Sequence, residues 1–213
     1  MHPDLHGALL EGPLSAADAL LGAVLSRTSP EGTVSVRLTE VEAYAGSDDP
    51  GSHGFRGRTA RNATMFGPAG RLYAYRIYGI HTCLNVVAGE AGISSAVLLR
   101  AGEVVEGVEL ATARRTEGRR SAAPLRDHEL ARGPGNLVTA LGATIADDGA
   151  RVDVDPFALE PPAPGARRAV VRGLRVGVGI PGGALPFNWR FWLDGEASVS
   201  RYIAHRSLRA GRR

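Results

Sequence analysis

Apolar and polar residues alternate along residues 33–44 (TVSVRLTEVEAY), and this alternation predicts a β-strand with one face in the core. Three apolar residues mark that face: Val34, Val36 and Leu38. The same parity continues through Glu40, Glu42 and Tyr44, so a regular strand would carry two carboxylates into the face that begins with valines. These acids need an explanation, because an unpaired charge is costly to bury.

The rest of the hydrophobic pattern predicts a mixture of strands and helices. Helices are expected at residues 15–26 and 104–116, and a short helix after the turn in GPGNLVTALG, ended by Gly142. Further strands are expected at residues 72–78, 81–88, 95–101, 169–180 and 190–194. Residues 160–168 indicate a turn-rich loop. The order of elements favours a mixed α+β domain over a doubly wound sheet.

Length and composition favour a single domain. The 213 residues can bury a substantial core, and no apolar run approaches the roughly 18 residues that cross a bilayer. The N-terminus lacks the features of a secretory signal, and a single cysteine, Cys83, fits a reducing compartment. We therefore expect a bacterial, cytoplasmic protein comprising one domain over 1–213, with residues 1–10 and 206–213 flexible.

The sequence contains arginine but no lysine. All 25 basic residues are arginines, the formal net charge is +3, and the pI is about 9.5. Arginine suits phosphate because its planar fork donates two hydrogen bonds, although a coding bias would produce the same composition. Two clusters stand out: Arg56, Arg58, Arg61, Arg71 and Arg76, and then Arg114, Arg115, Arg119, Arg120, Arg126 and Arg132. They indicate either a polyanionic partner or simply a solvated surface.

Glu40 and Glu42 are the strongest candidates for catalysis. On one strand face their Cα atoms would lie about 6–7 Å apart. Three interpretations stay open: structural acids paired with arginine, a general base, and the carboxylate pair of a sugar hydrolase. The aromatic content of 6% is low for a carbohydrate cleft, which weakens the third.

Metal and cofactor chemistry has little support. Of the six histidines, only His2 and His6 have helical ligand spacing, and they lie in the segment expected to be flexible. No phosphate-binding loop or serine nucleophile motif occurs. We expect neither a metal nor a cofactor.

Three tyrosines follow in RLYAYRIYGIHTCLN. Tyr73 and Tyr75 share one strand face, and Tyr78 lies off it, just before Gly79. Aromatic rings beside arginines suit a nucleic acid, because rings stack on bases and guanidinium groups bind the backbone. Core filling is the simpler explanation for Tyr73.

Four blocks, in this order, resemble the alkyladenine (3-methyladenine) DNA glycosylase family: TEVEAYAGSDDPGSHGFRGRTARNATMF, GRLYAYRIYGIHTCLNVV, AVLLRA and RVGVGI. The resemblance runs from about residue 10 to about residue 202. It implies a monomeric enzyme that flips damaged purines out of double-stranded DNA and hydrolyses the N-glycosidic bond. The expected fold is α+β, a single compact domain with a curved, mainly antiparallel β-sheet flanked by helices.

The resemblance also implies roles for individual residues. Glu42 would be the general base that activates water, and Arg100 would hold that water with a backbone carbonyl from RVGVGI. The pocket would consist of a Tyr44–Tyr75 sandwich around the base, the main chain at His53, and Asn85 against the amino group of guanine. The DNA contacts would be Tyr78, wedged into the duplex, and Arg58 and Arg61 on phosphates. Ile80 and His81 depart from the family pattern beside the wedge.

The absence of lysine bears on the reaction type. Glycosylases that also cut the strand form a Schiff base through an amine, and this chain offers only its N-terminal amine. We therefore expect a monofunctional enzyme without lyase activity. The alternatives are a lesion-binding protein without turnover and the sugar hydrolase. The order of preference among 3-methyladenine, 7-methylguanine, hypoxanthine and etheno-adducts does not follow from the sequence.

Overall fold

The structure is a computed structural model that describes residues 1–77, 79–117, 119, 121, 123–163, 165 and 168–210. The α-helices in these ranges are α1 (Pro3–Glu11), α2 (Pro13–Leu20), α3 (Val108–Thr116), α4 (Pro134–Leu141) and α5 (Arg206–Ala210). The strands are β1 (Val24–Ser29), β2 (Gly32–Tyr44), β3 (Leu72–Ile77), β4 (His81–Val87), β5 (Ala96–Glu106), β6 (Ala131–Arg132), β7 (Phe157–Glu160), β8 (Val170–Gly173) and β9 (Arg190–Leu193). Short 3-10 helices span Gly46–Asp48, Ala60–Phe66, Asp127–Glu129 and Ile145–Asp147.

These strands form one open antiparallel sheet in the order β3-β4-β5-β2-β1-β7. The long strand β2 serves two partners on one side, because it pairs with β1 over its first half and with β9 through Glu40–Glu42. Strand β9 continues to β8, and β6 pairs with β5. The α+β, mainly antiparallel prediction is confirmed.

The main core lies against one face of this sheet and is closed by α1 to α4. Leu5 and Leu9 of α1 are buried in it. The N-terminal segment expected to be flexible is therefore a packed helix from Pro3 onward. At the other end, residues 206–210 form α5 and residues 211–213 lie outside the described ranges.

Several predicted boundaries need correction. The helix expected at 15–26 stops at Leu20, because the backbone at Gly22 has a φ of +82° and the chain then enters β1. The helix expected at 104–116 begins at Val108, and residues 104–106 complete β5. The strand expected at 169–180 covers only β8, and β7 was not predicted. The end of α4 at Gly142 is confirmed, with a φ of +70°.

The pairing of β2 with β5 is irregular at the point where the acids begin. Thr39 on β2 and Arg100 on β5 have no partner across the ladder, which is the register of two adjoining β-bulges. On β2, the extra residue Thr39 moves the side chains that follow it to the opposite face. Val41 and Ala43 therefore continue into the main core after Leu38.

The prediction that Glu40 and Glu42 enter the core face is thus wrong. With Tyr44, they lie on the second face of the sheet, where Arg100 of β5 meets them. The bulges let one strand serve a hydrophobic core on one side and a charged cluster on the other. No helix among the described residues is long and apolar enough to cross a membrane.

Candidate active site

A cavity of about 400 Å³ opens on the second face of the sheet. Strand residues form its floor: Tyr44, Tyr73, Tyr75, Asn85, Leu98 and Arg100. Two loops complete its walls, one running from Pro50 to His53 and the other from Val176 to Ile180. The sheet therefore supplies rings and charged groups, and the loops supply backbone.

The Glu42 carboxylate lies directly behind the cavity wall. It is fully buried and accepts three hydrogen bonds: from the Tyr44 hydroxyl at 2.8 Å, from Arg100 Nη1 at 3.2 Å and from the Val176 amide at 2.7 Å. All three donors belong to residues that line the cavity, although Glu42 itself does not.

Glu40 has a different environment and is saturated by structural partners. Its oxygens accept from Arg100 Nε at 2.9 Å, from Arg190 Nε at 2.7 Å, and from the amide and hydroxyl of Ser200. Burial raises the pKa of the Glu40 carboxyl, but the two arginines and Ser200 outweigh it, so the pKa is lowered. Glu40 is therefore ionised at neutral pH and serves as a structural charge, which disfavours a sugar hydrolase that uses both acids.

Arg100 connects the two glutamates. Burial lowers the pKa of its guanidinium, but the charges of Glu42 and Glu40 outweigh this effect and raise it. The guanidinium therefore stays charged at the cavity floor. It holds the Glu42 carboxylate in place and presents a donor beside it.

Aromatic side chains form another part of the cavity surface. Tyr73 and Tyr75 stack with centroids 5.5 Å apart, and His53 meets Tyr75 edge-on at 4.5 Å. His53 Nδ1 lies 3.1 Å from the Tyr73 hydroxyl, which therefore faces the cavity although Tyr73 is buried. Burial raises the pKa of Tyr73 to about 12 and that of Tyr44 well above its usual value. The rings consequently remain neutral.

The loop that carries His53 is fixed by its backbone. The His53 carbonyl accepts a hydrogen bond from Asn62 Nδ2 at 2.8 Å, while its amide donates to no described residue. Gly54 lies so close to Ser94 that a Cβ there would overlap the serine hydroxyl. Burial and the nearby Arg61 charge lower the pKa of the His53 imidazole, which favours the neutral ring.

Asn85 is buried at the cavity floor, and its Nδ2 donates to the Tyr73 carbonyl at 3.0 Å. This bond fixes the orientation of the amide. The cavity therefore contains all the predicted pocket residues: Tyr44, His53, Tyr75 and Asn85.

Arg175 is the residue of the site that the sequence analysis missed. It is fully buried, forms a two-bond ion pair with Asp49 and packs against the Tyr44 ring. The only signal was its place at the start of RVGVGI, a block from which only a carbonyl was expected to matter. Among the described residues, no group of three or more potential ligands could hold a metal ion.

Comparison with known proteins shows the family to which this chain belongs. The model of the family described as methylpurine-DNA glycosylase (MPG) matches residues 8–197. The chain belongs to the methylpurine-DNA glycosylase family. Its relatives include bacterial proteins provisionally named 3-methyladenine DNA glycosylase. The one from Leifsonia xyli is 53% identical over 199 residues, covering 93% of this chain and 92% of the relative.

Two further relatives carry the same provisional name. The one from Streptomyces avermitilis is 49% identical over 195 residues, with 90% of this chain and 88% of the relative covered. The one from Mycobacterium tuberculosis is 44% identical over 208 residues, with 93% and 92% covered. Family and relatives together indicate a DNA glycosylase for methylated purines, a hydrolase whose substrate is DNA.

The two arginines predicted to contact DNA phosphates differ in their hydrogen-bond partners. Arg58 is exposed and has no partner among the described residues, whereas exposed Arg61 donates to the Arg76 carbonyl of β3 at 3.2 Å. The predicted wedge, Tyr78, lies outside the described residues. Ile80 follows it and is 76% exposed.

The second arginine cluster of the glycosylase is largely structural. Four of its six arginines donate to backbone carbonyls: Arg114 to Leu141, Arg115 to Leu130, Arg119 to Ala123 and Arg132 to Val199. Arg120 lies outside the described residues. Most of the cluster therefore satisfies backbone acceptors rather than forming a free basic surface.

Proposed function

We propose that this chain is a monofunctional DNA glycosylase of base excision repair that draws an alkylated or deaminated purine out of duplex DNA. The base enters the cavity on the second face of the sheet, and water activated by Glu42 hydrolyses its N-glycosidic bond. The observation that carries this proposal is the buried Glu42 carboxylate behind a cavity of about 400 Å³ that is lined by aromatic rings. That volume lies within the range typical of small-molecule sites.

The proposed chemistry uses Glu42 as the base. A water at the Tyr44–Arg100 wall gives a proton to the carboxylate while its oxygen attacks C1′ of the sugar. The C1′–N9 bond breaks, and its electron pair leaves with the purine. A cationic purine becomes neutral and Glu42 releases its proton to solvent, whereas a neutral purine takes up that proton. The negative charge of Glu42 also stabilises the positive charge that develops on the sugar. Arg100 and a backbone carbonyl of the Val176–Ile180 loop would orient the water.

Base recognition would come from the cavity walls. Tyr44 and Tyr75 would sandwich the flipped base, and a cationic alkylpurine would gain cation–π attraction as well as stacking. The unpaired amide of His53 could donate to the base, and the fixed amide of Asn85 would crowd the amino group of guanine. Tyr78 would fill the gap in the duplex, and Arg58 and Arg61 would contact phosphates. Flipping favours weakened pairs, which adds selectivity.

The absence of lyase activity is part of the proposal. Lysine is absent, so the only primary amine is the N-terminus. That amine forms an ion pair with Asp153 at 3.3 Å beside a different cavity, and the Arg151 and N-terminal charges help to lower the pKa of Asp153 to about 2. The ion pair therefore holds the amine away from the proposed base pocket, so it is a poor candidate for Schiff-base formation.

The proposed enzyme is a monomer that acts on damaged chromosomal DNA in the bacterial cytoplasm, without metal or cofactor. The test is a single-turnover assay on a duplex that contains 7-methylguanine. Release of the free base, with strand breaks appearing only after alkali, supports the proposal. Tight binding of the lesion without release would support the lesion-binding alternative. Breaks without alkali, together with borohydride trapping of the protein on DNA, would refute the monofunctional assignment.

A further inference from the structure

Arg175 places a buried positive charge behind the proposed base-stacking ring. Its guanidinium carbon lies 4.5 Å from the centroid of Tyr44, and it also lies near the rings of Trp189 (5.5 Å) and Phe187 (5.8 Å). Its Nε is buried and has no hydrogen-bond partner among the described residues. One edge of the cation thus faces aromatic carbon rather than an acceptor.

The other edge of Arg175 is neutralised by Asp49. Nη1 and Nη2 donate to the two carboxylate oxygens at 2.5 and 2.6 Å, and they also reach the carbonyls of Ala43 and Gly182. Asp49 is as buried as Arg175. The pair therefore presents the guanidinium to the Tyr44 ring, 4.5 Å from its centroid, while the carboxylate lies along the Nη edge of Arg175.

We propose that the Asp49–Arg175 pair is a specificity-determining element that tunes how strongly Tyr44 favours cationic over neutral bases. This inference rests on the proposed function. A ring attracts cations through the electron density on its faces, and one face of Tyr44 is already occupied by a guanidinium. A base stacked on the other face would lie roughly 9 Å from that guanidinium, because stacked rings are separated by about 4.5 Å or more. At this distance across a low-dielectric interior, two positive charges repel appreciably.

The net repulsion of a cationic base depends on how completely the negative charge of Asp49 offsets the positive charge of Arg175. The carboxylate weakens the repulsion, but the guanidinium is the member of the pair that lies over the Tyr44 ring, so we expect a positive remainder in the pocket. The Asp49–Arg175 pair therefore limits the preference for cationic alkylpurines and leaves room for neutral damaged bases. Its hydrogen bonds also hold the loop that precedes His53, since Asp49 accepts from the Gly51 amide at 2.8 Å.

The test compares excision of 7-methylguanine, which is cationic, with excision of hypoxanthine, which is neutral, under single-turnover conditions. The variants are Asp49→Asn, which leaves the full charge of Arg175, and Asp49→Asn/Arg175→Gln, which removes both charges. The ratio of the two rate constants is the readout, because a loosened pocket would lower both rates together. We expect the ratio to fall about fivefold in Asp49→Asn and to rise about twofold or more in the double variant.

Arg175→Lys is the matched control, since it keeps the charge but loses the planar fork, and its ratio should stay near that of the wild type. If Asp49→Asn does not fold, the double variant decides alone, because neutral replacement of a buried ion pair is often tolerated. An unchanged ratio in a folded double variant overturns the inference. Failure of the wild type to release either base would instead refute the proposed function.

Discussion

Glu40 accepts hydrogen bonds from two arginines and Ser200, whereas Glu42 accepts from Tyr44, Arg100 and the Val176 amide. The two residues are alike in the sequence and equally buried. They differ in their hydrogen-bond partners. The donors to Glu40 are Arg100, Arg190 and Ser200, whereas the donors to Glu42 belong to residues that line the cavity. At the scale of single residues, Glu40 therefore belongs to stability and Glu42 to the proposed chemistry.

Replacing Glu40 should destabilise the protein strongly. Glu40→Gln leaves Arg100 and Arg190 buried with one carboxylate fewer, and breaking a buried pair typically costs about 3–5 kcal/mol of unfolding free energy. Glu103→Gln is the control, because Glu103 is half-exposed where it pairs with Arg37 and should cost no more than about 1 kcal/mol. Urea unfolding at neutral pH measures both. Equal losses in the two variants would contradict the structural role of Glu40.

The same carboxylate should make the protein acid-sensitive. The folded pKa of Glu40 lies below its ordinary 4.5, so its contribution is fully present above pH 4.5 and is lost as the pH falls through the folded value. The free energy of unfolding should therefore fall more between neutral pH and about pH 3.5 in the wild type than in Glu40→Gln. Parallel pH profiles for the two proteins would count against the lowered pKa.

At the scale of elements, the bulge at Thr39 decides which face of β2 carries the acids. Deleting Thr39 would remove the extra residue, and regular alternation from Leu38 would then keep Glu40 and Glu42 on the second face. We therefore expect the deletion variant to unfold cooperatively. Thr39→Val keeps the bulge, loses only the hydrogen bond to Ser198, and should cost about 1 kcal/mol. Thermal unfolding and circular dichroism compare the two variants, and loss of cooperative unfolding in the deletion variant alone would contradict the assignment of Thr39 as the single extra residue.

The sequence pattern located most strands but not their facing. Alternation identified β2 within one residue, yet it could not reveal that Thr39 and Arg100 are extra residues, because bulges depend on the partner strand. Helix periodicity ran through Gly22 into β1, because Val24 and Leu25 suit either element. The ion pair between Arg175 and Asp49 could not be predicted from the sequence pattern either, because the two residues lie far apart along the chain.

At the scale of the whole molecule, the sheet divides two tasks between its faces. The main core on one face, closed by four helices, fixes the floor of the cavity on the other. Asp49, which precedes the Pro50–His53 loop, pairs with Arg175, and Glu42 accepts from the Val176 amide at the start of the other loop. The site therefore forms only when the fold is complete. Family resemblance implies the roles of the pocket residues, and the structure gives the distances between Glu42 and its three hydrogen-bond donors.

The most direct test of the central claim compares wild type with Glu42→Gln in single-turnover excision of 7-methylguanine from duplex DNA. Loss of a general base should lower the rate about 10²- to 10⁴-fold. Binding of the lesion-containing duplex should change little, because Glu42 lies behind the wall and not in the cavity. Thermal unfolding of both proteins checks that the variant is folded. Equal rates of base release by the two folded proteins would contradict the assignment of Glu42 as the catalytic base.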